Sequence, residues 1–189
     1  MTTTTTLTRV ALKEWQVVWD AVLAGEQTVL LRKGGIAEPD SRFTPRGGPF
    51  LLYPTTIHQK PALVREPWNR RVRTDPLEEL PIRGLARIAA AFELAPAHAD
   101  RLDRLEAFHI WTRDYAAERL HWKADRPLAV LVLEARRLGQ PLLVRRDPEL
   151  EGCFSWLDLP VEASWDEARP VQDAKSLAEA SAAVSEALR

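Results

Sequence analysis

Among 189 residues there is one cysteine, Cys153, so no intramolecular disulfide can form and no multi-cysteine metal site can be built. No apolar run approaches the roughly 18–20 residues that a membrane-spanning helix needs. Met1 is followed by Thr2 to Thr6 instead of a basic and then apolar leader. A dominant charge is missing too: 26 Lys+Arg stand against 27 Asp+Glu, so no global field draws the chain to a polyanion. The histidines His58, His98, His109 and His121 lack the close pairing of His-rich metal motifs. Gly-x-Ser-x-Gly, the P-loop spacing and Gly-x-Gly-x-x-Gly are all absent. These absences lead us to expect a cytoplasmic protein with no membrane partner, metal or cofactor. No residue is assigned a catalytic role, and the oligomeric state is not legible.

What is present is an ordinary globular composition, 46% hydrophobic and 28% charged, at a length suited to one domain. Over residues 8–24, Leu12, Trp15, Val18, Trp19, Val22 and Leu23 recur at helical spacing, which predicts a helix ended by Gly25. Residues 27–32 predict a strand running into Gly34-Gly35, and 50–53 a second strand stopped by Pro54. The Pro- and Gly-rich segment 38–49 reads as a loop, and 58–81 resolves into no elements. Residues 81–94 suit either a helix or a twisted strand with a bulge. Helices are predicted at 99–105 and 112–121, the second with Thr112 as N-cap.

The near-continuous apolar run 128–133 predicts a strand buried on both faces in the middle of a sheet. Shorter strands are expected at 141–145 and 154–159, and an amphipathic helix at 173–188. The fold class is therefore α+β, with a mixed or barrel-like sheet, an N-terminal helix, mid-chain helices and a C-terminal helix. Residues 8–162 are expected to form one domain, with 163–189 a helical extension.

Several groups have chemical potential. Arg32-Lys33-Gly34-Gly35 is a basic turn at a strand end, where backbone amides and two cations can face a phosphate. Seven tryptophans are present, and Trp68 and Trp122 lie beside basic or amide residues. A ring for stacking with a guanidinium nearby is how single-stranded nucleic acid is commonly held. Trp15, Trp19, Trp111 and Trp156 are expected in the core. Cys153 reads as a small core residue beside a strand.

A nuclease reading rests on Asp125, the strand 128–133 and Glu134, an order like that of PD-(D/E)xK enzymes. Arg136 occupies the place of the lysine, and a permanently protonated guanidinium cannot act as a base.

Ala11-Leu12-Lys13-Glu14-Trp15, Leu31-Arg32-Lys33-Gly34-Gly35-Ile36 and Phe50-Leu51-Leu52-Tyr53-Pro54-Thr55 with His58-Gln59 resemble the bacterial domain-of-unknown-function family numbered 1802. His109-Ile110-Trp111-Thr112, Arg119-Leu120-His121-Trp122 and Pro127-Leu128 extend the resemblance, which spans about residues 11–160. It implies no activity. It leads us to expect a basic or apolar residue near Glu134, which counts against a nuclease. Residues 21–32, a helix, a glycine and a short strand ending in Arg32, are similar in outline to the PUA, ASCH and EVE group of RNA-binding domains.

Together these readings predict a module for RNA or single-stranded DNA. Arg32, Lys33, Gly34, Gly35, His58 and Gln59 would line one electropositive hollow. Trp122 or Trp68 would stack on a base, and Arg70, Arg71 and Arg73 would meet the backbone. The rivals are the Mg²⁺-dependent nuclease of Asp125 and Glu134, and a protein adaptor using the Trp-rich surface or the terminal helix.

Overall fold

The computed structural model describes residues 6–33, 43–152 and 154–189. Gly34, Gly35 and Cys153 therefore lie outside the described residues, as does part of the expected loop at 38–49.

The chain is α+β. Its seven strands, counted among the described residues, form one mixed sheet. They are β1 (Leu7–Trp15), β2 (Val29–Arg32), β3 (Phe50–Thr55), β4 (Glu79–Leu94), β5 (Leu128–Arg145), β6 (Trp156–Ser164) and β7 (Arg169–Pro170). The helices are α1 (Gln16–Ala24), α2 (Arg113–His121) and α3 (Ala174–Ala187), with 3-10 turns at Pro61–Leu63, Trp68–Arg71, Pro96–Phe108 and Pro148–Glu151. The strand order is β2-β5-β4-β3-β1-β6, with β7 added to β5. β1 and β3 pair in parallel; the other pairings are antiparallel. The sheet is open, with β2 and β6 at the two ends of this order.

The helix expected over residues 8–24 is a strand for its first half. Leu12 and Trp15, two members of the helical-looking stripe, lie in β1, and the helix begins only at Gln16. The cause is tertiary. Ala11 packs in one core cluster and Leu12 in another, on opposite faces of a strand flanked by β3 and β6. Burial on both faces overrides the weak helical preference of a short segment. Gly25 closes α1 as expected: at φ 80 it occupies the left-handed region, and its N–H bonds back toward Ala21 and Val22.

Pro54 does not stop β3. It pairs in register with Glu14 of β1, and the strand runs on to Thr55. Residues 81–94 resolve to the strand alternative, with ladder irregularities at Ile82/Gly84 and Ile88/Ala90. The strand of 128–133 is interior as expected, but it continues through Gly139 and Pro141, so 141–145 is its far end and not a separate element. The expected helix at 99–105 is a 3-10 segment.

Thr112 caps α2 by accepting from the Tyr115 N–H at 3.3 Å, and Asp173 caps α3 by accepting from the Ser176 N–H at 2.7 Å. One face of α3 is docked: Val184 is fully buried in the main cluster, with Leu177 and Leu188 packed against it.

Candidate nucleic-acid interface

The expected basic turn begins with two residues that are structural. Arg32, at the end of β2, is buried and reaches across to the end of β1. Its Nη1 meets Glu14 Oε2 at 2.8 Å and donates to the Lys13 carbonyl at 3.3 Å, while Nη2 bonds Ser155 Oγ at 2.7 Å. Glu14 Oε1 in turn accepts from the Trp15 N–H at 2.9 Å. Ser155 immediately precedes β6, so this guanidinium joins the two ends of the sheet where, among the described residues, no ladder joins them. Lys33 is likewise occupied: its Nζ donates to the carbonyls of Lys123 at 3.0 Å and Arg126 at 2.7 Å. Burial lowers the Lys33 pKa from its ordinary value, and Asp125 opposes that shift.

Through Lys33, the end of β2 holds the turn that follows Trp122. Trp122 caps the C-terminus of α2 and is 47% exposed, with Lys123 Nζ 4.6 Å from its ring centre. Beside it lies a hollow of about 500 Å³ lined by Tyr115, Glu118, Arg119, His121 and Trp122.

An aromatic cluster backs the hollow. Trp111 and Tyr115 meet edge to face at 4.8 Å, Trp15 and Trp111 at 5.1 Å, and Trp15 stacks on Tyr115 at 6.1 Å. Arg119 lies 5.5 Å from both the Trp111 and Tyr115 ring centres, a cation–π placement that fixes its guanidinium. Its Nη1 is shielded from solvent and has no hydrogen-bond partner among the described residues. Burial raises the Tyr115 phenol above its ordinary pKa; Arg119 and Arg32 pull it down, and Glu14 and Glu118 push it up. The Glu14–Arg32 pair thus lies within electrostatic reach of the hollow.

The remaining expected contacts scatter. Gln59 is buried as a brace, accepting from the Val17 N–H at 3.4 Å and donating to the Arg73 carbonyl at 2.8 Å. His58 is exposed in a turn at φ 61. Arg70 pairs with Glu66 on the surface at 3.1 Å. Arg71 lies over the Trp68 ring at 4.5 Å. Trp68 is not an exposed platform: it is 4% exposed, and its Nε1 donates to Glu26 at 2.9 Å. A single hollow shared by Arg32, Lys33, His58 and Gln59 is therefore not what their side chains form. Arg32 and Gln59 instead brace the β1–α1 junction through Glu14 and Val17.

Of the tryptophans expected inside, Trp19 and Trp111 are fully buried, while Trp15 and Trp156 are partly so. His109 is buried apart from the hollow's lining, and neither ring nitrogen has a hydrogen-bond partner among the described residues.

The carboxylates of the nuclease reading stand apart. Residues 128–134 run extended at about 3.3 Å each, which puts Leu128 about 20 Å from Glu134, and Asp125 lies in the turn before that strand. Asp125 pairs with Arg126, and Glu134 with Arg87 at 2.6 Å and Arg136 at 3.8 Å. Among the described residues, no group of three or more His, Cys, Asp or Glu is placed to hold a metal ion. No described helix is long and apolar enough to cross a membrane.

The architecture is thus an α+β domain built on an open mixed sheet, with an aromatic hollow at the C-terminal end of α2. The profile of a family described as "Domain of unknown function (DUF1802)" matches residues 11–183, and the chain belongs to that family. No curated protein matches it. Solved structures similar to it include the ASCH protein of Zymomonas mobilis, at 12% identity, with 92% of each chain covered and a TM-score of 0.44. A point mutant of ASCH from the same organism gives 13% identity, 82% of this chain and 86% of that one, and a TM-score of 0.45.

Trp122 stands out in the sequence, whereas Tyr115 and Glu118 look like ordinary helix positions. The signal for them was the spacing itself: Tyr115, Glu118, Arg119 and Trp122 recur at three- and four-residue steps, so they share a helix face.

Proposed function

We propose that this protein is a single-stranded nucleic-acid-binding module that seats a base against Trp122 and Tyr115. The observation that carries the reading is an exposed tryptophan that lines one hollow with Arg119, whose guanidinium is fixed on aromatic rings. A base stacked on an indole is held through its π face, which every base has. Arg119, in the lining of the hollow, supplies a cation to a base carbonyl or a phosphate oxygen, and Glu118 accepts from an exocyclic amine. A hollow of about 500 Å³ admits one base with its sugar. Lys123, on the turn tied to Lys33, supplies a cation beside the ring. In this reading Arg32 and Lys33 position the site and do not touch the ligand.

Fluorescence anisotropy with labelled single-stranded RNA and DNA, compared with duplexes, tests the proposal. Single strands are expected to bind in the micromolar range at low salt. Trp122→Ala is expected to weaken binding by about 5- to 100-fold, the worth of one stacked base. Equal affinity in Trp122→Ala, or no binding of either strand type, overturns it.

A further inference from the structure

The ladder between β4 and β5 is interrupted at one place by more than a single-residue bulge. Ile82 pairs with Leu142 and Gly84 with Arg137, so Arg83 alone opposes the four residues 138–141. Such irregularities re-aim side chains and recur beside functional sites. At its base the packing is tight: a Cβ on Gly84 would lie 2.5 Å from the Arg136 carbonyl oxygen and 2.7 Å from Leu23 Cδ2. The outward loop leaves a cleft of about 550 Å³, whose lining includes Arg71, Arg83, Arg137, Asp20, Leu23 and Leu138.

The three guanidiniums come from three separate elements, and each is held. Arg137 donates to the Leu23 carbonyl at the end of α1. Arg83 pairs with Asp20 at 3.2 Å. Arg71 rests on Trp68, itself anchored by Glu26. Among the described residues Asp20 is the only carboxylate in the lining; burial raises its pKa while Arg83 and Arg73 oppose the shift. Three planar forks facing one space with a single counter-charge suit an anion of several charges, and the guanidinium fork matches phosphate oxygens in pairs.

We propose that this cleft binds a ligand carrying two or more linked phosphate groups, held by Arg71, Arg83 and Arg137. The shared chemistry has two sources, the free oligophosphate of a small molecule or successive phosphodiesters of a strand. The inference does not depend on the base-seating role of Trp122.

Calorimetric titration with inorganic tripolyphosphate at low salt tests it, followed by competition against a single-stranded oligonucleotide. Tripolyphosphate is expected to bind, and Arg71→Gln and Arg83→Gln are each expected to weaken it by about tenfold. Asp20→Asn removes the repelling carboxylate and is expected to tighten binding, a gain that misfolding cannot imitate. Competition with the oligonucleotide identifies a strand as the source, and its absence identifies a free oligophosphate; either outcome supports the cleft. No binding of tripolyphosphate, or affinity unchanged across Arg83→Gln and Asp20→Asn, overturns it. Trp122→Ala is expected to leave tripolyphosphate binding intact, so failure of the hollow and failure of the cleft are read separately.

Discussion

Glu14 and Arg32 meet at 2.8 Å beneath the surface, at the point where the two ends of an open sheet approach. The pair also serves the backbone, since Glu14 accepts from the Trp15 N–H where β1 turns directly into α1. Removing one partner leaves the other charge buried without compensation, which costs about 3–5 kcal/mol. Urea denaturation of Arg32→Ala and Glu14→Ala is expected to show losses of that size, and the double substitution less than their sum. Losses under about 1 kcal/mol, typical of exposed pairs, would contradict a bracing role.

His109 gives the fold an acid limit. Burial, with Arg65 adding to the effect, pushes its pKa down to about 4 from an unfolded value of 6.5. Between those values the unfolded chain binds a proton that the folded chain refuses, so stability rises with pH through this window and is level above it. The full difference is about 3 kcal/mol. Denaturation midpoints measured from pH 7 to pH 4 are expected to fall in the native protein, with a shallower fall in His109→Phe. Parallel curves would show that His109 is not the cause.

Gly84 is expected to tolerate no side chain. In Gly84→Ala the new methyl meets a backbone oxygen at 2.5 Å, and backbone cannot swing aside as a flexible side chain can. A loss of about 1–3 kcal/mol is expected from thermal or chemical denaturation. A neutral substitution would mean that the β4–β5 irregularity relaxes easily and does not hold Arg83 in place.

Salt separates the electrostatic part of nucleic-acid binding from stacking. Each phosphate neutralised on a single strand contributes a slope of about −0.7 to log K against log salt. Anisotropy across a salt series is expected to give the same slope in Trp122→Ala as in the native protein, with lower affinity throughout. A changed slope would mean that Trp122 acts by placing cations and not by stacking.

Local signals carried much of the fold. The apolar run at 128–133, the cap at Thr112 and the stop at Gly25 are short-range features, and each is where the residues indicated. What failed was long-range. Leu12 and Trp15 fit a helical stripe, yet they belong to a strand because β3 and β6 flank it, and no local pattern announces a neighbour forty or more residues away. The site was half legible for the same reason. An exposed tryptophan among polar residues at 121–123 stands out, whereas the neutralisation of Arg32 by Glu14 depends on two strands meeting across the fold. Trp68 was misread because its basic flank suggested a surface, while Glu26 draws its indole inward.

The most direct test follows the Trp122 side chain itself. Each of the seven tryptophans has an indole N–H visible by NMR, and Trp122→Phe identifies the signal of interest. Titration with a short single-stranded oligonucleotide is expected to shift that resonance in a saturable way, with the buried Trp19 and Trp68 signals unmoved. A saturable complex that leaves the Trp122 resonance in place would contradict base seating in this hollow.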